Sequence, residues 1–424
     1  MLMLVILFVL LFALGVPVAV AIGVASFPIV IEGGMPLTYV FQRLFAAIDS
    51  FPLMAIPFFV LAGTLMEGGG ISKRLVGLAN ACVGHRYGGL AIVTILASMF
   101  FAAVSGSGSA TTAAIGSIMI PAMVAKKYDT RFATATTATA AQIGVIIPPS
   151  IPMVLYCVGT GASIGTLFVA GFLPGIMIGI SLMIYANKVA RKRGYVGETR
   201  CTGKEKFIAF KEAIWALLMP VIILGGIYSG LFTPTESAAI ACVYAIIVGL
   251  FVYREMTLKN LYRILLKSAI SSAAIMLIIS SAGLFSSVLT YERVPQLVAN
   301  FFVSLGGNKY IFLLLVNILL FFVGMFIDGG PAMIILAPIL GPVAVSLGID
   351  PIHFGIVMVC NNALGQITPP FGTNLFVASQ VAKIKLEDMI KDIIPYVAIV
   401  FADVLILTYI PAISTFLPKL LGMM

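Results

Sequence analysis

The chain has 424 residues, of which 61% are hydrophobic and only 10% charged, and its formal net charge is +9. Because soluble domains carry roughly 25% charged residues, this composition excludes a soluble domain and indicates an α-helical protein with many membrane spans. The spread of Lys and Arg favours membrane topology over nucleic-acid binding as the reason for the positive charge. Five scattered cysteines and two separate histidines give no support to a zinc, haem or disulfide framework.

The predicted elements follow the same order in two halves, 1–187 and 212–424, which a hydrophilic, basic linker at 188–211 separates. Each half begins with two spans, a short amphipathic segment predicted to lie along the membrane surface, and a third span. An apolar stretch interrupted by small residues follows, then a span broken by a Pro-Pro pair, then a closing span. The predicted elements are, in chain order, 1–14, 17–33, 36–48, 50–68, 92–124, 132–158 and 165–187, then 213–232, 236–252, 256–268, 270–290, 311–345, 353–380 and 393–416.

The two halves are related by a shift of 221 residues, which places Gly144 on Gly365 and aligns residues 100–174 with 321–395 without a gap. The two Pro-Pro pairs coincide under the same shift. Glycine and proline interrupt helices, so their coincidence indicates an internal repeat more strongly than the low overall identity does.

The stretches 92–124 and 311–345 are long for one span and are broken by small residues, at 105–109 and 328–331. We interpret them as re-entrant helical hairpins, so that each half crosses the membrane five times and the second half is inverted. With the linker in the cytoplasm, most Lys and Arg lie inside, and both termini are predicted to be periplasmic. The first hairpin then opens to the cytoplasm and the second to the periplasm. The same assignment leaves a few basic residues outside, among them Lys383, Lys385 and Lys391.

Broken helices in matching positions of inverted halves indicate a transport site, because non-helical backbone at membrane depth must be buried by protein or reached by water. We expect the first hairpin tip, 105–112, to face the break at 144–150, and the second tip, 328–331, to face the break at 365–374. Neutral oxygens at these places suit Na⁺. The polar side chains are Ser105, Ser107, Ser109, Thr111 and Thr112 in the first tip, and Gln366, Thr368, Thr373 and Asn374 in the second break.

Two alternatives remain open at this point. Small residues at the tips also permit close helix packing, without any ligand. Asp328 is the one acid predicted near mid-membrane at a tip, and three roles fit it: binding an ion, binding a proton, or capping the half-helix that follows.

Four segments resemble the large membrane subunit of tripartite ATP-independent periplasmic (TRAP) transporters, and the resemblance extends over essentially the whole chain. The segments are 105–117 (SGSGSATTAAIGS), 146–154 (IIPPSIPMV), 232–240 (FTPTESAAI) and 362–377 (NALGQITPPFGTNLFV). The resemblance implies Na⁺-coupled uptake of a small organic acid across the bacterial inner membrane by an elevator mechanism. It also implies a periplasmic substrate-binding protein and a small four-helix membrane subunit, which we expect here as a separate chain.

The resemblance further implies two Na⁺ sites, each where a hairpin tip meets the broken helix of its own half. Carried over to this sequence, the first site comprises Ser105, Ser107, Ser109, Gly144, Ile147 and Pro148. The second comprises Asp328, Gly329, Gly365, Thr368 and Thr373. The substrate is expected between the tips, near Ser105, Ser107, Ser109, Thr111, Ser150, Gln366 and Asn374.

No residue fixes the substrate, and within the family we favour sialic acid over a C4-dicarboxylate on overall impression. The runner-up function is a stand-alone Na⁺/di- or tricarboxylate symporter without a binding protein. An ion channel with the hairpins as filter loops is a further alternative. A serine hydrolase is disfavoured because neither His85 nor His353 lies in a matched break, and no nucleotide-binding motif points to ATP-driven transport.

Overall fold

The computed structural model describes residues 2–304, 307–327 and 329–424. Asp328, which the sequence analysis nominates as an ion ligand, lies outside the described residues. Within those ranges the chain forms α-helices and short connections and contains no strand. Eight helices there are long and apolar enough to cross a membrane, or nine if the bent pair at 386–420 is counted as one span. The prediction of an all-α, multi-pass membrane protein is therefore confirmed.

The first half contains helices α1 to α10 and the second half α11 to α20. The first ten are α1 (Leu2–Ala13), α2 (Val18–Glu32), α3 (Leu37–Ala46), α4 (Ala55–Gly68), α5 (Ile71–Val83), α6 (Gly89–Ser105), α7 (Gly108–Ala125), α8 (Thr130–Ala141), α9 (Ile151–Thr160) and α10 (Ile164–Arg193). The others are α11 (Gly203–Tyr228), α12 (Pro234–Ile247), α13 (Leu258–Tyr291), α14 (Val294–Ser304), α15 (Lys309–Phe326), α16 (Gly329–Ser346), α17 (Pro351–Gly365), α18 (Thr373–Ala382), α19 (Leu386–Tyr409) and α20 (Ala412–Leu420).

The broken helices begin with the same cap in both halves. The Asp129 carboxylate accepts a hydrogen bond from the Arg131 amide at the start of α8, at 2.8 Å. At the matching position of the second half, Asp350 accepts from the Ile352 and His353 amides at 2.8 and 3.0 Å. An aspartate at this position satisfies amides that no helical carbonyl reaches, so the repeat extends from sequence to local structure.

Helix α13 departs from the prediction, because the surface segment 256–268 and the span 270–290 form one continuous helix of 34 residues. Neither glycine nor proline separates the two segments, so nothing in the sequence ends the helix there. Ser268, at the predicted junction, instead donates a hydrogen bond to Thr64 of α4 at 2.9 Å. The short helices α5 and α14 are also additions that the sequence analysis did not predict.

The two hairpins open at opposite ends of the helix bundle. The first hairpin, α6 and α7, starts and finishes beside the linker, where the Gly88 amide donates to the Tyr195 carbonyl at 2.9 Å. Lys126, just after α7, lies 3.3 Å from Glu198 at the same end, which we call the linker end. The second hairpin, α15 and α16, opens at the other end, where the Tyr310 carbonyl accepts from Tyr409 at 3.4 Å. Opposite openings are what inverted repeats require.

One contact corrects the side to which the sequence analysis assigned three lysines. The guanidinium of Arg193, at the end of α10, bonds to the Asp392 carboxylate of α19. The segment 383–392 therefore lies at the linker end, and Lys383, Lys385 and Lys391 belong with the linker's basic residues rather than on the opposite side. The correction strengthens the excess of positive charge at the linker end.

Candidate functional site

The first hairpin tip is a tight connection between α6 and α7. Ser105 ends α6, and the side chain of Ser107 caps α7 by accepting from the Ala110 amide at 3.4 Å. Gly106 between them has φ +64°, and a β-carbon there would lie 2.9 Å from the carbonyl oxygen of Pro149. Because this left-handed backbone is pressed against the first break, any residue other than glycine would be strained at position 106.

Three oxygens of this tip gather beside the first break. The Thr111 hydroxyl lies 2.9 Å from the Ser105 hydroxyl and donates to the Ser107 carbonyl at 2.8 Å. A β-carbon on Gly144 would lie 2.6 Å from the Thr111 hydroxyl and 2.8 Å from the Ser107 carbonyl. The absence of a side chain at Gly144 therefore lets the break approach two of the three oxygens directly. We call Ser105 Oγ, Ser107 O and Thr111 Oγ1 the tip-one oxygen cluster.

The other residues nominated in the first half lie in two environments. Ser109 is exposed to the cavity described below, and its hydroxyl is 3.2 Å from that of Ser107. Ile147 directs its side chain against Gly175 of α10, and Pro148 is buried, so either could supply only a backbone carbonyl. The peptide bond Pro148–Pro149 is cis.

Ser150, which the sequence analysis nominates as a substrate ligand, is not among the residues that line the cavity. Its side chain is fully buried, donates to the Val145 carbonyl at 2.6 Å and accepts from the Met153 amide at 3.4 Å. The hydroxyl thus caps α9 and closes the break, and helix capping is a common use of serine. The sequence analysis did not predict this cap.

The second tip uses glycine contacts instead of hydroxyls. A β-carbon on Gly329, at the start of α16, would clash with the Asn362 amide of α17. Gly365 at the end of α17 lies against Gly324 of α15, where β-carbons would clash with the facing backbone. The second hairpin therefore packs closely against α17, directly before the second break.

Polar groups of the second break are largely turned inward. Thr368 is buried, and its hydroxyl donates to the Leu364 carbonyl at 2.7 Å. Thr373 begins α18, and the backbone amide of Asn374 donates to the Gln366 carbonyl at 3.1 Å. The peptide bond Pro369–Pro370 is cis, like its counterpart in the first half.

The first tip also reaches the second break, a contact that the sequence analysis missed. A β-carbon on Gly108 would clash with the Gln366 side-chain oxygen and lie 2.9 Å from the Asn374 side-chain amide. The side-chain oxygens of Gln366 and Asn374 are buried and have no hydrogen-bond partner among the described residues. Because unsatisfied buried oxygens are costly, these two amides are candidates for contact with a ligand at the meeting point of the halves.

Gln142 is a second feature that the sequence analysis missed. It opens the 3-10 turn Gln142–Val145 in the first break and is fully buried. Neither atom of its side-chain amide has a hydrogen-bond partner in the part of the chain that the structure describes. The available signal was a glutamine two residues before Gly144 in an otherwise small and apolar run.

A cavity of about 380 Å³ lies next to both hairpin tips. It lies between both hairpin tips, the second break and the helices α4 and α13. Its polar lining from the tips and the break comprises Ser105, Gly106, Ser107, Ser109, Gly330 and Gln366. Toward the linker end it is bordered by Glu67 and Lys267, whose charged atoms lie 3.9 Å apart. The volume falls in the range of small-molecule sites.

Comparison with known proteins agrees with this arrangement. The family described as "Tripartite ATP-independent periplasmic transporter, DctM component" matches residues 4–413. The C4-dicarboxylate TRAP transporter large permease protein DctM of Pseudomonas aeruginosa is 48% identical over 90% of this chain and 89% of its own length. The sialic acid TRAP transporter large permease protein SiaM of Vibrio cholerae is 38% identical over 97% of this chain and 96% of its own length. These relatives are transport permeases rather than enzymes.

Two further comparisons concern chain length and fold. The isethionate TRAP transporter permease protein DctMQ of Oleidesulfovibrio alaskensis is 47% identical over 96% of this chain, which spans 65% of that relative's length. The crystal structure of the Alcanivorax borkumensis YdaH transporter, described as having an unusual topology, superposes with a TM-score of 0.63. That superposition covers 88% of each chain at 16% sequence identity, so it concerns the fold alone.

Proposed function

Because the chain belongs to the tripartite ATP-independent periplasmic (TRAP) transporter family, as the large membrane subunit of such a transporter, we propose that it moves a small organic acid across the bacterial inner membrane. We propose further that Na⁺ drives this transport. The observation that carries this proposal is the cavity at which tip one, tip two and the second break meet. Its polar surface consists mainly of hydroxyl, amide and backbone groups, which can bind a carboxylate and release it again.

The first Na⁺ would bind at the tip-one oxygen cluster. Ser105, Ser107 and Thr111 place three neutral oxygens together, and Gly144 leaves the approach from the break open. Neutral oxygens suit a weakly held hard cation, because a carboxylate would retain it more strongly. The carbonyls of Ile147 and Pro148 would complete the shell.

The second Na⁺ would bind where tip two meets the second break, near Gly329, Gly365, Thr368 and Thr373, with Asp328 as the remaining nominee. The support is the matched repeat and the close backbone approach at Gly365. Each charge that crosses a 100 mV potential contributes roughly 2.3 kcal/mol, so two ions suffice to accumulate an anion steeply.

The proposed motion is an elevator. The two hairpins and two broken helices would form the mobile core, and α4, α12 and α13 would belong to the fixed scaffold against which it slides. The cavity lies between these groups. The chain would act with a separate four-helix membrane subunit and a periplasmic protein that delivers the acid.

For the substrate we propose the size class of C4-dicarboxylates and isethionate before sialic acid. Relatives named for the first two are 48% and 47% identical, whereas the sialic acid relative SiaM is 38% identical. Sialic acid, which the sequence analysis favoured, thus has less support as the substrate than the smaller acids have.

Uptake into proteoliposomes tests the proposal. Vesicles would hold this chain with its small subunit, and a periplasmic binding protein would be added with radiolabelled succinate, isethionate or sialic acid. Uptake that requires both an inward Na⁺ gradient and the binding protein is expected. Na⁺-driven uptake without the binding protein would replace the tripartite proposal with a stand-alone symporter, and uptake unaffected by Na⁺ would refute the coupling.

A further inference from the structure

A second groove, of about 720 Å³, opens on the surface between α6 and α10 and shares no lining residue with the transport cavity. Its mouth lies at the linker end and carries Arg86 and Arg191. Its inner wall is apolar and includes Ile180 and Ile184 of α10. Since a helix rises 1.5 Å per residue, these isoleucines lie roughly 10 to 16 Å from Arg191 along the helix axis. The groove is thus cationic at one end and apolar along its length.

The two arginines have no carboxylate within salt-bridge distance among the described residues. The guanidinium of Arg191 instead lies over the ring of Tyr87, 5.6 Å from its centre. None of the described residues that line the groove is acidic, and Asn187 donates its amide to the Tyr87 carbonyl at 2.8 Å. The positive charge at the mouth is therefore available to an external anion.

Three other basic residues at the linker end differ in this respect. Lys73 and Arg74 both pair with Glu255, at 3.5 and 2.8 Å. Lys126 pairs with Glu198 at 3.3 Å. Those cations are neutralised within the chain, whereas the pair at the mouth of the α6–α10 groove is not.

The apolar wall identifies the kind of anion. Ile180 and Ile184 are 47% and 65% exposed, on a helix that is long and apolar enough to cross the membrane. A soluble metabolite or an acidic peptide would use the arginines but leave this wall uncovered. A phospholipid presents a phosphate at the membrane surface and an acyl chain below it, and basic pockets between helices bind such headgroups.

We propose that the α6–α10 groove is a binding site for an anionic phospholipid, with the phosphate at Arg86 and Arg191 and one acyl chain along Ile180 and Ile184. The proposal rests on the chain crossing a membrane and not on what it transports. The site lies on the first hairpin and the closing helix of the first half, so the lipid would bridge two elements that pack together at the linker end.

Quenching of a single tryptophan by brominated lipids tests the site directly. The chain has one tryptophan, Trp215, so a Trp215→Phe background leaves a reporter introduced by Ile184→Trp as the sole tryptophan. The full chain would be reconstituted in phosphatidylcholine vesicles with brominated phosphatidylglycerol or brominated phosphatidylcholine. A reporter at Ile318→Trp, where the native side chain is 41% exposed on α15, serves as the control position.

The expected result is roughly tenfold stronger association of phosphatidylglycerol than phosphatidylcholine at position 184, since basic residues near the surface attract anionic lipid, and no preference at position 318. Arg86→Ala with Arg191→Ala should abolish the preference, and Arg86→Lys with Arg191→Lys should retain most of it. Arg200→Ala with Lys204→Ala removes the same charge from the exposed linker and should leave the preference intact.

Four results would overturn the proposal. Equal quenching by both lipids at position 184 would show that no anionic lipid is selected there. A preference that persists in the double alanine variant would place the selectivity elsewhere. An equal preference at position 318 would reduce the effect to the overall charge of the protein. Loss of all quenching at position 184 on adding the small membrane subunit would assign the groove to a protein partner instead.

Discussion

The two hairpins occupy matching places in the two halves, but their tips supply oxygen in different ways. Tip one carries its own oxygens, in the cluster formed by Ser105, Ser107 and Thr111. In tip two the described residues that start α16 are glycine, glycine and proline, and Gly329 lies against Asn362 of the broken helix. A shared backbone plan therefore does not require the same side chains at the two tips.

The contacts of the tips with the opposite half differ as well. Tip one meets polar groups there, since Gly108 faces the side-chain amides of Gln366 and Asn374. Tip two meets an apolar one, since a β-carbon placed on Gly330 would lie 3.7 Å from the Leu155 side chain. We infer that the polar part of the transport site is displaced toward tip one and the second break.

The largest expected effect concerns the direction in which the hairpins open. In a chain whose five cysteines are replaced by alanine, Lys126→Cys and Lys309→Cys, made in separate variants, mark the ends of hairpins one and two. A membrane-impermeant maleimide applied to intact cells should label the thiol at position 309 and leave the thiol at position 126 unlabelled until the membrane is opened. Labelling of both positions from the same side would contradict the inverted arrangement and remove the basis for comparing the tips.

Substitution of the glycine at each break tests whether the close contact there belongs to an ion site or only to helix packing. Gly144→Ala places a methyl group within 3 Å of two oxygens of the cluster, so we expect Na⁺-driven uptake at low Na⁺ to fall roughly a hundredfold, as overpacking at a tight site costs about 1–3 kcal/mol. Gly365→Ala presses on the backbone of Gly324 and should lower the melting temperature as well as uptake.

Gly225→Ala is the control for both glycine substitutions, because a β-carbon there has no neighbour within 4 Å. It should change neither uptake nor the melting temperature. If Gly144→Ala lowered the melting temperature and left the Na⁺ dependence unchanged, the close approach at the first break would be a packing feature and not part of an ion site.

Two adjacent threonines of tip one test whether the oxygen cluster itself binds Na⁺. Thr111 contacts Ser105 and the Ser107 carbonyl, whereas the Thr112 hydroxyl donates to the Gly108 carbonyl of its own helix at 2.9 Å. Thr111→Val should raise the half-saturating Na⁺ concentration about tenfold, because the loss of one contact as strong as a hydrogen bond weakens binding by about that factor. Thr112→Val should change it less than about twofold. Equal responses of the two variants would exclude the cluster as an ion site.

Much of this architecture could be predicted because helix-breaking residues leave a clear signal. The hairpin predicted at 92–124 corresponds to α6 and α7, and the break predicted at 144–150 lies between α8 and α9. Glycine and proline act through backbone sterics, which depend little on distant contacts. The prediction failed at α13, where it placed a break at residue 269. Neither glycine nor proline stands there to interrupt the helix.

The side-chain roles were harder to predict because hydroxyls and amides act through whatever lies next to them. Ser150 caps α9 and Thr368 donates to the Leu364 carbonyl of its own segment, and neither contact could be read from the sequence. The contact of Gly108 with Gln366 joins residues far apart in the chain, and a repeat argument that pairs each tip with its own break cannot reveal it. Long-range pairing of this kind needs the folded chain.

The smallest expected effects come from the hydroxyls of Ser107 and Thr368, one nominated residue from each half. The Ser107 hydroxyl bonds to Ser109 and caps α7, and its carbonyl rather than its hydroxyl belongs to the oxygen cluster. Ser107→Ala should therefore raise the half-saturating Na⁺ concentration by about twofold. The Thr368 hydroxyl donates its proton to the Leu364 carbonyl and keeps its lone pairs for an ion, so Thr368→Ala should raise it about threefold to fivefold. An unchanged Na⁺ dependence in both variants would mean that neither hydroxyl binds Na⁺ and that only backbone oxygens do so at these positions. A larger effect at Ser107 than at Thr368 would mean that the Ser107 hydroxyl, and not the Thr368 hydroxyl, is the side-chain ligand.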